Sequence, residues 1–274
     1  MNTTMKLAIR RRFTISMGGW RMAESNLCEK RGSGSRLKCL LIGMAAWGLV
    51  AGIGSEALAD GSTLSNDFRL WSPVFLTVPL STSFIGYAEV NPRLGEDVSN
   101  LNQLILRTAI GYKLNDHWSV WQGYAWNTVY QPEFNDEHRV YQQLSYKETF
   151  PLIKIMSRSR LEERWIDHTG GTAFRARTML RVDVPLPKMI PNTSFVVFDE
   201  IFFNLNGISN GSSGQRFGPE AGFDQNRFFV GFNYEFMKQF NVDLGYQMQI
   251  INTRRDQLVN QINNTIMINL FINL

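Results

Sequence analysis

Six arginines stand out by their spacing. Arg158, Arg160 and Arg164 fall on alternate positions of one stretch, 153–167, and Arg175, Arg177 and Arg181 do the same in the next, 172–185. Side chains two apart in an extended chain share a face, so each set projects to one side. Glu162 lies in phase with the first set, and Glu200 and Arg227 take the corresponding phase further along. Guanidinium forks match carboxylate and phosphate oxygens in pairs, so a wall of them would attract anions, as basic rings do in anion pores. The competing chemistry is structural: arginine and glutamate together can fill an interior while neutralising each other. A second candidate is His117-Trp118-Ser119, in which an imidazole two residues from a hydroxyl could activate it as a nucleophile. The bland reading, a turn histidine at a strand start, outweighs it. His138 has no serine two residues away and His168 lies in a tight loop, so the three histidines show no metal-ligand spacing. Glu96-Asp97 and Asn135-Asp136-Glu137 read as solvated turn charge. Phosphate-binding glycine loops and calcium loops are missing, so no metal and no cofactor is expected.

These residues need a scaffold, and composition narrows it. The chain has 274 residues and a formal net charge of +4, but residues 1–59 hold 9 of the 28 Lys+Arg, 3 of the 24 Asp+Glu and both cysteines. Residues 60–274 therefore carry a net charge of −2 and no cysteine. That argues against nucleic acid as a partner and excludes a disulfide framework in this region. The first segment reads as a leader. Basic Arg36 and Lys38 precede an apolar run from Leu40 to Ile53, and Ala57-Leu58-Ala59 follows as a small-x-small cleavage site. A basic, then apolar, then small-residue order describes a secretory signal peptide. Fourteen helical residues are too few to cross about 30 Å of hydrocarbon. The expected division is a leader over 1–59, with its apolar region at 40–53, and a mature domain over 60–274.

The mature domain is dominated by period two. Val242, Leu244, Tyr246, Met248 and Ile250 alternate with Asn241, Asp243, Gly245, Gln247 and Gln249; Ile266, Ile268, Leu270, Ile272 and Leu274 form a similar face. Strict alternation marks strands with one apolar side. The pattern predicts strands near 83–93, 101–113, 117–130, 137–148, 153–167, 172–185, 193–206, 223–236, 239–252 and 263–274. A further segment at 67–78 is interrupted by Pro73, which cannot donate a ladder hydrogen bond. These strands are longer than those of ordinary soluble sheets. Their connectors alternate short and long, with a Gly/Ser/Asn-rich loop at 206–222. Tyr112, Trp118, Tyr146 and Tyr234 fall on the apolar face near short connectors, as an interfacial girdle would.

The expected fold is therefore all-β: an antiparallel transmembrane β-barrel of 10 to 12 strands after a cleaved N-terminal signal peptide. Even counts are usual in single-chain bacterial barrels, which makes an eleventh strand at 67–78 awkward. Either it pairs with an undetected twelfth or it packs elsewhere. The alternation places Arg69, Arg107, Arg139, Lys154, Arg158, Arg160, Arg164, Arg175, Arg177, Arg181 and Arg227 in the lumen. Asp67, Glu89, Glu137, Glu162, Asp183, Glu200 and Asp243 join them. A hairpin closing near 169–170 would pair Glu162 with Arg177, Arg164 with Arg175 and Arg158 with Arg181.

Several segments also occur in a familiar order. They include Phe68-Arg69-Leu70-Trp71, Glu89-Val90-Asn91-Pro92-Arg93, Gly111-Tyr112-Lys113-Leu114, Trp118 to Tyr124, Glu137 to Gln143, Ser157 to Arg164, Asp199 to Asn206 and Asp224-Gln225-Asn226-Arg227. Over roughly 66–274 the chain resembles the domain-of-unknown-function 2490 proteins, a family of outer-membrane barrels of Gram-negative bacteria. The resemblance implies that fold and location and no activity. Outer-membrane lipid and the barrel-assembly machinery are the partners such a molecule would meet. Many outer-membrane proteins carry a terminal aromatic for that machinery; here the last residue given is Leu274, with Phe271 three before it. The functional expectation is a monomeric, non-enzymatic barrel, structural or passively permeable to small anionic solutes through its Arg-rich lumen. A lipid-modifying hydrolase using Ser119 and surface display through the 206–222 loop are the other classes considered.

Overall fold

A computed structural model describes residues 65–130, 134–208, 218–253 and 259–274. The expected leader and cleavage site lie outside the described residues, as does the middle of the 206–222 loop. Every regular element described is a strand: β1 (Ser65–Trp71), β2 (Val74–Pro79), β3 (Phe84–Gly95), β4 (Asn100–Lys113), β5 (Trp118–Val129), β6 (Asn135–Thr149), β7 (Lys154–Ile166), β8 (Ala173–Pro185), β9 (Thr193–Asn204), β10 (Gly222–Met237), β11 (Phe240–Thr253) and β12 (Val259–Asn273). No helix among the described residues is long and apolar enough to cross a membrane.

Each strand from β3 to β12 pairs antiparallel with its sequence neighbour. The alternation seen in the sequence sets this register, because a slip of one residue would exchange the two faces of a strand. Closure is different in kind. β12 pairs parallel with β1, from Ser65↔Gln261 to Trp71↔Met267, and then parallel with β2, from Val74↔Leu270 to Thr77↔Asn273. On its other side β1 meets β3 at Leu70↔Leu94, and β2 meets β3 from Val74↔Val90 to Pro79↔Ile85.

β1 and β2 are thus two halves of one stave, broken at Ser72-Pro73, and the barrel has eleven staves. The break is where the missing proline N–H would have left a gap in the ladder. The flanking bonds bridge it: Ser72 N–H donates to the Pro92 carbonyl at 3.2 Å, and the Pro73 carbonyl accepts from Leu270 N–H at 2.9 Å. The parity objection therefore fails. An odd number of staves closes when the first and last run in the same direction, and segment 67–78 neither needs a twelfth strand nor packs elsewhere. The chain enters the barrel beside Gln261 and finishes at the opposite end, where Leu274 N–H meets the Thr77 carbonyl at 3.0 Å.

The outer face is apolar over most of its circumference. Val90, Ile110, Phe232, Leu244 and Ile268 are exposed. Aromatics gather near the connectors 80–83, 114–117, 150–153 and 238–239. Phe84 stands edge-on to Tyr112 at 5.2 Å, and Trp118 lies 4.8 Å from Tyr146. The buried core is the lumen itself.

The parallel seam is directly checkable. Leu70 and Ile266 are register partners on the outer face. In a background lacking Cys28 and Cys39, the pair Leu70→Cys and Ile266→Cys should crosslink under mild oxidant, as judged by altered gel mobility. A Leu70→Cys/Leu244→Cys pair, separated by an intervening strand, should not. Absence of the first crosslink would reject the eleven-stave closure.

Candidate functional site

The lumen is built by the inward phase of every stave. Four glycines in that phase, Gly111, Gly123, Gly231 and Gly245, remove side chains from the wall so that large rings can lie against it. A Cβ on Gly123 would sit 2.2 Å from the Tyr141 ring, one on Gly111 2.5 Å from Trp121, and one on Gly245 2.5 Å from Phe229. Tyr141, Phe202, Phe229 and Trp71 are almost wholly buried, and Phe198 stacks on Phe229 at 4.6 Å.

Guanidinium groups lie over these rings. Arg160 is 4.0 Å above Tyr141, Arg93 3.7 Å above Trp71, and Arg227 sits between Trp71 at 5.0 Å and Phe202 at 4.7 Å. Cation–π contact gains strength where water is excluded. The carboxylates knit the arginines together. Glu162 is 1% exposed and takes Arg175 at 2.6 Å, Arg177 at 3.5 Å and Arg160 at 3.6 Å. Glu200 takes Arg158 at 2.8 Å and Arg177 at 3.4 Å. Glu137 accepts from Arg139 at 2.6 Å and also from Arg164. Glu89 binds Arg107 and the Tyr87 hydroxyl, the latter at 2.6 Å. Asp243 and Asp183 share Arg181, at 2.5 and 2.7 Å.

The filling is uneven along the axis. From the end carrying the connectors 80–83, 114–117 and 150–153, a cavity of about 500 Å³ reaches inward to Glu89, Arg107, Arg158, Arg160, Arg177, Glu200 and Arg227. Beyond that floor Ala125, Asn127, Glu137, Arg139, Arg164, Arg175, Gln249 and Asn263 are all buried. Among the described residues the lumen thus holds a vestibule above a layer of ion-paired side chains, a septum. The cavity lining carries nine Lys/Arg side chains (Arg93, Arg107, Lys113, Lys147, Arg158, Arg160, Arg177, Arg181 and Arg227) against three carboxylates, Glu89, Asp116 and Glu200.

Residues 68–260 match the family described as "Protein of unknown function (DUF2490)". The chain belongs to the DUF2490 family. An uncharacterized protein of Methylorubrum extorquens is 34% identical over 210 residues, spanning 75% of this chain and 87% of that one. Among solved structures the DUF2490 chain is similar to the NanC porin, with 10% identity, 76% of this chain and 99% of that one covered, and a TM-score of 0.45. It is also similar to LpxR from Salmonella typhimurium, with 6% identity, coverage of 69% and 83%, and a TM-score of 0.41.

Of the residues singled out in this DUF2490 sequence, Arg158, Arg160, Arg177, Arg181, Glu200 and Arg227 line the vestibule, while Glu162, Arg164 and Arg175 are not among its lining. The β7–β8 register differs from the expected one by two residues. Glu162 faces Arg175, Arg160 faces Arg177, Arg164 faces Ala173, Arg158 faces Met179 and Arg181 faces Met156. The cause is the connection, residues 167–172, where His168 adopts a left-handed φ of 61°. Arg93, Lys113, Lys147, Asp224 and Trp71 were missed. Arg93 shares the phase of Glu89 and Asn91 and was legible. Asp224 was not: a bulge between Phe223 and Gln225 takes it out of alternation and brings it 3.2 Å from Arg175.

The His117–Ser119 pair is not assembled for nucleophile activation. Ser119 Oγ accepts from Trp121 Nε1 at 2.9 Å, while His117 Nδ1 is 3.0 Å from Glu148. His138 faces outward, with Nδ1 2.6 Å from the Tyr124 hydroxyl. No group of three His, Cys, Asp or Glu among the described residues could hold a metal.

The glycine cradle yields a prediction. Gly123→Ala should destabilise the barrel by about 1–3 kcal/mol through overpacking against Tyr141. Adding Tyr141→Leu should recover part of that loss, measured as non-additivity in denaturant unfolding. Additive losses would mean that the ring does not lie on Gly123.

Proposed function

We propose that this protein is a non-enzymatic outer-membrane barrel that admits small anionic solutes into a basic vestibule. The observation that carries this reading is the excess of nine cationic side chains over three carboxylates in the vestibule lining. Charge of one sign in a low-dielectric cleft concentrates counter-ions. The apolar, aromatic-edged outer face supports a place in the membrane, where a closed barrel leaves no strand edge in lipid. Short connectors belong to the periplasmic side of such barrels, so the vestibule opens to the periplasm. Passage beyond it requires the septum to exchange its ion pairs.

The test is single-channel recording in a planar bilayer under a salt gradient. The wild type should pass small, anion-selective currents. Replacing Arg158, Arg160, Arg175 and Arg177 with Gln should shift selectivity toward cations, because Glu162 and Glu200 then lose their partners. A silent wild-type barrel, or selectivity unchanged in the variant, would overturn the permeation reading. A lipid-modifying hydrolase is the second reading, favoured only by the Glu148–His117 contact. It requires lipid hydrolysis that Ser119→Ala abolishes.

A further inference from the structure

The septum binds its carboxylates with only part of its donor set. Among the described residues, four buried guanidinium nitrogens make no well-aligned hydrogen bond: Arg107 Nε, Arg158 Nε, Arg160 Nη1 and Arg177 Nε, the last two only approaching carboxylate oxygens at 3.4 to 3.6 Å. Arg107, Arg160 and Arg177 are each more than nine-tenths buried, and all four residues line the inner end of the vestibule. Shared partners place them together. Arg158 and Arg177 both approach Glu200 Oε1, at 2.8 and 3.4 Å. Arg177 and Arg160 both approach Glu162 Oε1, at 3.5 and 3.6 Å. Arg160 and Arg107 both face the Tyr141 ring, at 4.0 and 6.0 Å.

Leaving buried charged donors unmatched costs free energy, and burial of like charges adds to it. Four guanidinium groups here meet three carboxylates, Glu89, Glu162 and Glu200. One further acceptor group with several oxygens would satisfy the unused N–H donors and the charge at once, and charge-assisted bonds of this type are the strong ones. Two more buried donors without hydrogen-bond partners belong to residues that line the same cavity, Trp71 Nε1 and Gln247 Nε2.

We propose that the floor of the vestibule is a binding site for one small oxyanion, a phosphate, sulfate or carboxylate group, held by Arg107, Arg158, Arg160 and Arg177. This rests on reading the vestibule as open to anionic solutes. An oxyanion is favoured over a halide because several oxygens can accept charge-assisted bonds from several guanidinium groups at once.

The experiment is calorimetric titration of the full chain, folded in non-ionic detergent, with inorganic phosphate at constant ionic strength, against a matched chloride titration. Acetate is then tested as a competitor. The expected result is saturable binding of one phosphate per chain, displaced by acetate, and weakened at least about tenfold by Arg160→Gln. Arg160 is the residue to change because Glu162 keeps Arg175 at 2.6 Å without it. Arg160→Lys keeps the cation but removes the planar fork. If Arg160→Gln does not fold, this variant should still bind phosphate more weakly than wild type, whereas a diffuse attraction would leave it unchanged. Heats equal to those of chloride, or equal binding by wild type and the folded Arg160 variants, would overturn the proposal. Anion-selective currents without phosphate binding would remove this site and leave the permeation reading. Phosphate binding by a barrel that passes no current would keep the site and remove permeation.

Discussion

A guanidinium group buried inside a barrel must meet acceptors there or stay in water, and the interior of this protein is organised around that requirement. Arg107, Arg139, Arg160, Arg164, Arg175 and Arg177 are all buried. Removing one partner from such a pair leaves an uncompensated charge and typically costs about 3–5 kcal/mol. The network forms a septum whose carboxylates tie neighbouring or more distant staves together. Glu162 links β7 to β8, Glu137 links β6 to β7, Glu200 ties β9 to both β7 and β8, and Asp243 holds β11 to β8 across the lumen through Arg181.

The backbone is shaped to admit this filling. Glycines at 111, 123, 231 and 245 let Trp121, Tyr141 and Phe229 lie along the wall, and the rings then offer their faces to arginines that lack a full set of carboxylates. Arg93 shows the principle. It donates to Gln103 at 2.8 Å and rests on Trp71, with no carboxylate partner among the described residues. Trp71 reaches that position because the β1–β2 stave closes the barrel in parallel with β12. The odd stave count and the septum are thus parts of one arrangement.

Much of this was legible in the sequence. Alternation located β3 to β12 to within a few residues, since one apolar and one mixed face per strand is a strong and local signal. The same phase pointed to Arg158, Arg160, Arg177, Arg181 and Arg227, which line the vestibule, though not to Arg93. Three things escaped. Closure by the 67–78 segment depends on a pairing about 200 positions away, and Pro73 argued against a continuous strand. The β7–β8 register depends on the conformation of a six-residue connection, which alternation does not encode. Asp224 points inward only because of a bulge. Whether the lumen is open was also beyond the sequence, because Arg–Glu filling and an Arg-lined pore share one residue pattern. The difference lies in where the large rings fall along the axis.

The central claim is that the lumen is freely accessible down to the septum and that passage beyond it waits on the exchange of the septum's ion pairs. Ala109 lines the vestibule, whereas Ala125 lies between Arg107 and Arg139 in register and is 1% exposed. Single cysteines at these positions, in a background without Cys28 and Cys39, should be challenged with a small anionic thiol reagent in reconstituted vesicles. Rapid labelling is expected at position 109, and much slower labelling at 125 as long as the barrel stays folded. Comparable labelling of both in the folded barrel would show a continuous water path and contradict the septum.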